Sequence, residues 1–332
     1  MTVITSENYW NVVFEELQED VERNGKSKYL LISKRYDEAI KLIEDRIVAW
    51  YGRNALGNKV SLRSAYKKLP KDQLEIFGVM INEYIKYWTT ELGYDKDEIE
   101  STQKVSEKDT SESDVSEETL SDAEAWLETL ILYQSKKDVT QYESLVIPII
   151  NEIEKVSHET SDALLALTLL TGWAVYDSIT KHLKLKPMSQ SALRKELLKS
   201  WASDGVPLYD RLSANKAKLS SAVKTTLVKG FSREMSVDVV VNEISKMMGV
   251  GAGAAKRLVL TENNFFNTHS TYLALKQAKY KYYRYICRLL PTSCEDCIAL
   301  HNTIFPLEAY EVGVTSPPLH PNCLCYIIGE IN

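Results

Sequence analysis

Two motifs rich in cysteine decide how the C-terminal part of this sequence folds: Cys294-Glu-Asp-Cys297 and, after a spacer of 22 residues, His320-Pro-Asn-Cys323-Leu-Cys325. All five cysteines of the chain lie in this region, and the preceding 286 residues contain none. Two close groups of nitrogen and sulfur donors, joined by a loop, are typical of a tetrahedral zinc site. The candidate ligands are Cys294, Cys297, His320, Cys323 and Cys325.

Two other interpretations of these thiols remain open. They could form a disulfide, or they could pack as small buried hydrophobic side chains. The odd number of cysteines, and our expectation that the chain has no secretory leader, argue against a disulfide scaffold. Cys287 falls among Tyr, Ile and Leu residues, so we expect it in the core of a helix. His301 lies four residues after Cys297 and is a less favoured substitute ligand.

Five candidates are one more than tetrahedral zinc requires. We expect Cys294, Cys297 and Cys325 to bind, with His320 and Cys323 competing for the fourth place. Because no general base or open coordination position is evident, the predicted role of the zinc ion is structural.

The composition predicts a mainly α-helical protein. The chain has 332 residues, of which 44% are hydrophobic and 26% charged, with only 13 glycines and 9 prolines. We predict an elongated helical N-terminal region and a helical bundle, followed by a small C-terminal α+β zinc-knuckle subdomain. No uninterrupted apolar run approaches the roughly 20 residues of a transmembrane helix, so we expect no membrane span.

Charge and pattern divide the sequence into four parts. An acidic segment rich in Ser and Glu cannot bury enough apolar surface to order itself, and it predicts a flexible linker. The predicted parts are an N-terminal helical arm at 1–94, the acidic linker at 95–123, a helical region at 124–200, and a C-terminal domain at 201–332 with the knuckle at 291–328.

Glycine-containing stretches predict helix breaks. We expect one break at Asn24-Gly25 and a second at Gly249-Val-Gly-Ala-Gly253, followed by a long helix over about 254–289. Beyond that helix, 303–305 and 325–328 are short β-prone runs that should pair with each other, and Asn302 should adopt a left-handed turn conformation.

Basic residues are concentrated in one part of the chain. Residues 181–290 contain 20 Lys and Arg against 7 Asp and Glu, a net charge of +13 within a chain of net charge −6. At the end of the predicted long helix, basic residues alternate with tyrosines. Such a segment can bind nucleic acid through phosphate contacts and base stacking, or it can be a helix whose tyrosines pack while its Lys and Arg side chains extend to solvent. The candidate nucleic-acid contacts are Lys276, Lys279, Lys281 and Arg284.

Several stretches resemble the minor head proteins of tailed phages, whose C-terminal half is a Mu F-like head-morphogenesis domain. The stretches that carry this resemblance are Arg257-Leu-Val-Leu-Thr-Glu262, Cys294-x-x-Cys297, Ile304-Phe305, Gly313, Pro317-Pro-Leu-His-Pro-Asn-Cys-Leu-Cys325, Trp201-Ala-Ser-Asp-Gly205 with Asp210-Arg-Leu212, Tyr9-Trp10 and Trp50-Tyr-Gly-Arg53.

The resemblance implies a virion protein at the portal vertex or capsid interior, present in the host cytoplasm during assembly. Its implied partners are the portal protein, the major capsid or scaffolding protein, and packaged double-stranded DNA. It implies roles in procapsid assembly and in DNA packaging or ejection, and it supplies no catalytic residues. Two positions depart from the family pattern: Asn302 stands where Gly is usual, and Leu324 stands where Arg is common.

Two alternative functions are weighed against this one. A zinc-ribbon-like DNA-binding regulator would explain the basic segment. An enzyme resembling the ADP-ribosyltransferase or toxin domains of some phage head proteins is disfavoured, because Glu308 and Glu311 do not have Glu-x-Glu spacing. Thr261 and Glu262 are expected to form a buried hydrogen-bonding pair that bridges to the zinc subdomain, although a catalytic role is the alternative.

Overall fold

The computed structural model describes residues 6–93, 117–202 and 204–330, with side chains described for 30–93, 122–166, 168–202 and 204–330. The predicted fold class is confirmed, because long helices are followed by a small C-terminal sheet. The helices are α1 (Ser6–Asn54), α2 (Leu62–Ala65), α3 (Lys71–Glu91), α4 (Glu117–Ser135), α5 (Gln141–His182), α6 (Gln190–Leu197), α7 (Leu208–Ser232), α8 (Val237–Gln277) and α9 (Glu295–Ala299). The strands are β1 (Tyr282–Ile286), β2 (Ile304–Pro306) and β3 (Tyr326–Glu330).

The chain forms two compact units, each built from separate stretches of sequence. The first, which we call the sheet unit, comprises the described residues within 1–33, 162–208 and 253–332, and the second, the helical unit, comprises those within 34–161 and 209–252. These units differ from the sequential parts predicted with boundaries at 94, 123 and 200. The reason is that α1, α5 and α8 each contribute one portion to each unit, a division that local composition does not reveal. Helix α4 also begins inside the predicted acidic linker, of which 95–116 lies outside the described residues.

Both predicted glycine breaks lie inside helices, so these two predictions are wrong. Helix α1 runs through Asn24 and Gly25, and α8 runs through 249–253. At Gly251 an added Cβ would lie 3.1 Å from Leu219 Cδ2 and 3.7 Å from Tyr36 Cε1. The absence of a side chain at Gly251 therefore permits close helix packing in the helical unit rather than a turn.

The predicted long helix over 254–289 is wrong in its last part. Helix α8 ends at Gln277, Lys279 adopts a positive φ of 59°, and β1 follows. Alternate residues of β1 are buried, among them Tyr283 and Tyr285, so a period of two determines this segment. Aromatic side chains favour such half-buried strands.

Strand β1 is the centre of a three-stranded antiparallel sheet with the order β2-β1-β3. The two β-prone runs that we expected to pair with each other instead pair with opposite edges of β1. The left-handed conformation predicted for Asn302 is confirmed, with a φ of 63°.

The helical unit has a core of aromatic side chains joined by specific hydrogen bonds. The indole nitrogens of Trp88 and Trp126 both donate to Asn151 Oδ1, at 2.9 and 3.0 Å. Trp50 Nε1 donates to the Gln141 carbonyl at 3.0 Å. Because buried N–H groups are costly to leave unpaired, these bonds fix the relative register of α1, α3, α4 and α5 within this unit.

The core of the sheet unit lies between α5, α6, α8 and the sheet. Phe265 and Phe266 of α8 pack with Tyr176 of α5, Leu193 of α6 and Tyr283 of β1. Helix α6 starts where Ser189 accepts a hydrogen bond from the Ala192 amide at 3.2 Å, an N-cap that satisfies one free helical donor. This core supports the sheet on which the cysteine motifs lie.

In the described part of the chain, helix α5 is long and apolar enough to cross a membrane by length and composition. Within its most apolar window, 47% of the residues are buried inside the protein. The core helix of a soluble protein meets the same criterion.

Candidate metal centre

The two cysteine motifs meet beside the sheet. Cys294 is the N-cap residue of α9, and its Sγ accepts a hydrogen bond from the Cys297 amide at 3.4 Å. The second motif lies on the irregular segment before β3, where the Cys323 amide donates to the His320 carbonyl at 3.1 Å. The bond from the Cys297 amide to Cys294 Sγ holds these two side chains close together at the start of α9.

The donor atoms form two overlapping groups of three that share Cys297. One group is Cys294, Cys297 and His320, and the other is Cys297, Cys323 and Cys325, with the donor atoms in each group within 4.8 Å of one another. His320 Nε2 lies 3.2 Å from Cys294 Sγ and 3.3 Å from Cys297 Sγ. Cys297 Sγ lies 3.8 Å from Cys323 Sγ. All five predicted ligands are therefore together, and the cluster could bind a metal ion.

His320 is held in the tautomer that a metal ligand needs. Its Nδ1 lies 2.9 Å from the Pro321 carbonyl oxygen, which can only accept a hydrogen bond. Nδ1 therefore carries the proton, and in the neutral ring Nε2 presents its lone pair to the two thiols. A carbonyl behind a histidine ring is the usual second contact of a metal-bound histidine.

The thiols oppose one another's ionisation. Burial raises the pKa of Cys297 to about 12, whereas a hydrogen bond with the Cys325 thiol lowers the pKa of Cys323 to about 5. The same hydrogen bond raises the pKa of Cys325. Negative charge therefore concentrates on Cys323 at the expense of its neighbours. A divalent cation bound here would relieve this conflict, since coordination deprotonates every thiol that a metal ion binds.

Tyr285 supports the cluster from the central strand, a role that the sequence analysis missed. It is completely buried, and its hydroxyl donates to Cys297 Sγ at 3.4 Å. It packs in one small core with Cys287, Cys297, Cys323 and Cys325. The alternation of tyrosines through β1 was the available signal, and we had assigned it to a helix.

Helix α8 also reaches the second motif. Thr261 Oγ1 accepts a hydrogen bond from the Asn322 amide at 3.0 Å, which confirms the predicted bridge from this residue. Glu262 is buried and accepts a hydrogen bond from Trp201 Nε1 at 3.0 Å. Asn264 Nδ2 donates to the Cys323 carbonyl, a contact that the sequence analysis did not anticipate.

Two residues considered with the ligands lie outside both donor groups. His301 Nδ1 accepts a hydrogen bond from the Cys287 amide at 3.1 Å, so it caps the end of β1. Cys287 is buried as expected, but it follows a strand rather than lying in a helix. His320 contacts both Cys294 and Cys297, whereas Cys325 groups with Cys297 and Cys323. The preferred ligand set of Cys294, Cys297 and Cys325 stays a prediction.

The four candidate nucleic-acid contacts do not share one helix. Lys276 lies in the last turn of α8, Lys279 in the turn after it, and Lys281 just before β1. Arg284 lies in β1, where its Nε is 2.9 Å from Glu330 Oε2. This ion pair reduces the charge that Arg284 offers to a partner.

Further exposed basic residues lie near the end of α8. Leu193 of α6 packs in the same core as Leu273 of α8, and Gln277 Nε2 donates to the Lys186 carbonyl. The loop after α5 and helix α6 are therefore adjacent to the end of α8. We define the basic surface as the exposed residues Lys184, Lys186, Arg194, Lys195, Lys276 and Lys279.

Comparison of the chain with family models, curated proteins and solved structures gives no match. The sheet unit has a Cys/His cluster that could bind a metal ion, in which Cys297, Cys323 and Cys325 are buried, and it has a separate basic surface.

Proposed function

We propose that this chain is a structural, non-enzymatic minor head protein of a tailed phage, and that a zinc ion holds its C-terminal subdomain together. The observation that carries the proposal is the meeting of Cys294-x-x-Cys297 with the His320-Pro-Asn-Cys-Leu-Cys325 motif in one cluster. These two motifs are the most specific part of the resemblance to the Mu F-like head-morphogenesis domain.

Zinc fits the donor set better than the hard cations do. Sulfur and imidazole donors suit zinc, whereas magnesium and calcium take oxygen ligands. Bonds of about 2.3 Å to sulfur and about 2.0 Å to nitrogen at tetrahedral angles separate two sulfurs by about 3.8 Å, and sulfur from nitrogen by about 3.5 Å. The separation of Cys297 Sγ from Cys323 Sγ is 3.8 Å, and those from His320 Nε2 to Cys294 Sγ and Cys297 Sγ are 3.2 and 3.3 Å.

A structural role suits this centre better than a catalytic one. Five donors can fill four coordination positions, whereas a catalytic zinc ion keeps one position for water or substrate. The strands β1, β2 and β3 have five, three and five residues, too few to build a self-sufficient core. A zinc ion would therefore contribute directly to the folding free energy of this subdomain.

The proposed setting is the portal vertex or inner capsid, with the portal protein and the major capsid or scaffolding protein as partners. Packaged double-stranded DNA is the proposed polyanion for the basic surface. Its six residues would bind phosphates without reading sequence, since Lys and Arg contacts to the backbone carry no base information.

Chelation tests the zinc proposal on the full chain. Hydrogen exchange would be followed by mass spectrometry before and after zinc removal with a strong chelator. We expect faster exchange in peptides covering β1, α9 and β3, and unchanged exchange in α3 of the helical unit. A purified protein that contains no zinc, or identical exchange with and without the chelator, contradicts the proposal.

Assembly tests the phage proposal separately. We expect the chain to co-purify with portal protein and procapsids. If it is absent from procapsids and binds a short duplex with sequence specificity, the zinc-ribbon-like regulator is the better description.

A further inference from the structure

We infer that Thr261 and Asn264 of helix α8 are positioning residues of the metal centre, which hold Cys323 in its ligating position. This inference rests on the proposed zinc site. It concerns two side chains that are not themselves ligands and that lie about 60 residues before the second motif in the sequence.

The two side chains share one face of α8, because residues three apart in a helix are neighbours. Both are buried, with 7% and 8% of their surface exposed. Thr261 Oγ1 donates to the Arg257 carbonyl at 2.8 Å and accepts from the Asn322 amide at 3.0 Å. The hydroxyl proton of Thr261 is therefore used in the hydrogen bond to the Arg257 carbonyl, and a lone pair of Oγ1 accepts the hydrogen bond from the loop.

The amide of Asn264 is oriented in the same way. Its Oδ1 accepts a hydrogen bond from Thr268 Oγ1 at 3.2 Å, and Thr268 is itself buried. Because Oδ1 is bound on that side, Nδ2 faces the Cys323 carbonyl and donates to it.

These contacts bracket Cys323. One binds the amide of the residue before it, Asn322, and the other binds its own carbonyl, so the backbone is fixed on both sides of its Cα. The segment from His320 to Cys325 contains no helix or strand, and Asn322 adopts a φ of 62°. A loop with little regular structure depends on such external contacts to keep a ligand in place.

Zinc affinity would be measured on the full chain by competition with a chromogenic chelator, and the cobalt-substituted protein would be examined by absorption spectroscopy. We expect Thr261→Val and Asn264→Ala each to weaken zinc binding by roughly 10- to 100-fold and to alter the cobalt ligand-field bands. Thr261→Ser, which keeps the hydroxyl, should retain wild-type affinity and spectrum.

Thr168→Val is the matched control. Thr168 is completely buried on α5 in the same unit, and its hydroxyl donates to the Leu164 carbonyl at 2.8 Å. We expect Thr168→Val to lower the stability to urea, as Thr261→Val does, and to leave the zinc affinity unchanged. Equal zinc affinity in wild type and Thr261→Val, or an equal loss in Thr168→Val, overturns the inference. A wild-type chain that binds neither metal instead overturns the proposed zinc site.

Discussion

The hydroxyl of Tyr285 offers a direct way to measure how the strand supports the metal centre. Substitution by Phe keeps the ring that packs among the buried cysteines and removes the hydroxyl, which hydrogen-bonds Cys297 Sγ and the Cys325 thiol. Tyr285 is 0% exposed, so no water replaces the lost donor without a rearrangement.

The magnitude follows from the nature of the acceptor. A hydrogen bond to an ionised group contributes about 1.5–3 kcal/mol. The distance of 3.4 Å and the diffuse charge of sulfur favour the lower end of that range. We therefore expect a loss of about 1.5 kcal/mol in zinc binding, which is roughly a tenfold weaker affinity.

The assay is a competition titration of the full chain against a chelator of known zinc affinity. Tyr283→Phe is the control, because Tyr283 is equally buried in the same strand and its hydroxyl donates to the Thr315 carbonyl at 3.2 Å. We expect Tyr283→Phe to bind zinc as the wild type does. Wild-type zinc affinity in Tyr285→Phe, or the same loss in both variants, would refute the reasoning.

Three further predictions concern other parts of the molecule. Burial lowers the pKa of His269 from 6.5 to about 4, so the native state binds fewer protons than the unfolded state between these values. This one group should remove roughly 2 kcal/mol of stability between pH 7 and pH 5, so in urea titrations His269→Gln should lose roughly that much less than wild type over this range. Lys216 lies 2.9 Å from Asp122 and 2.8 Å from Glu154, so Lys216→Met should cost about 3 kcal/mol in urea unfolding, and adding Glu154→Leu should recover part of it. Replacing four residues of the basic surface by Ala should reduce the salt dependence of duplex-DNA binding measured by fluorescence anisotropy, and an equal loss of charge from the helical unit should leave it unchanged. The surface set is Lys184, Lys186, Arg194 and Lys195, and the exposed control set is Lys59, Arg63, Lys67 and Lys71. The first prediction is contradicted if His269→Gln loses as much stability as wild type between pH 7 and pH 5, and the second if Lys216→Met is as stable as wild type. The third is contradicted if replacing either basic set changes the salt dependence of DNA binding equally.

The sequence was sufficient for those features that local chemistry determines. The spacing of the cysteine motifs predicted a cluster of Cys and His donors near the C-terminus, and the structure has such a cluster. Asn302 shows the same for backbone conformation, because Asn tolerates the left-handed region better than most residues.

Features that depend on tertiary contacts could not be predicted from the local sequence. Gly251 looks like a turn residue, yet its neighbours Leu219 and Tyr36 come from distant segments and make it a packing residue. The segment at 282–286 has a pattern compatible with either a helix or a strand, and two partners far along the chain select the strand. The contact of Asn264 with Cys323 spans 59 residues and has no local signal.

We propose that one zinc ion binds the cluster, and the zinc content of the full chain measures whether it is there. Cys297 belongs to both donor groups, so Cys297→Ser should lose the ion, whereas Cys287→Ser, outside both groups, should keep it. Native mass spectrometry with elemental analysis should find one zinc ion per chain in wild type and Cys287→Ser, and none in Cys297→Ser. A wild-type chain without zinc, or a Cys297→Ser chain that retains a full equivalent, would contradict the claim.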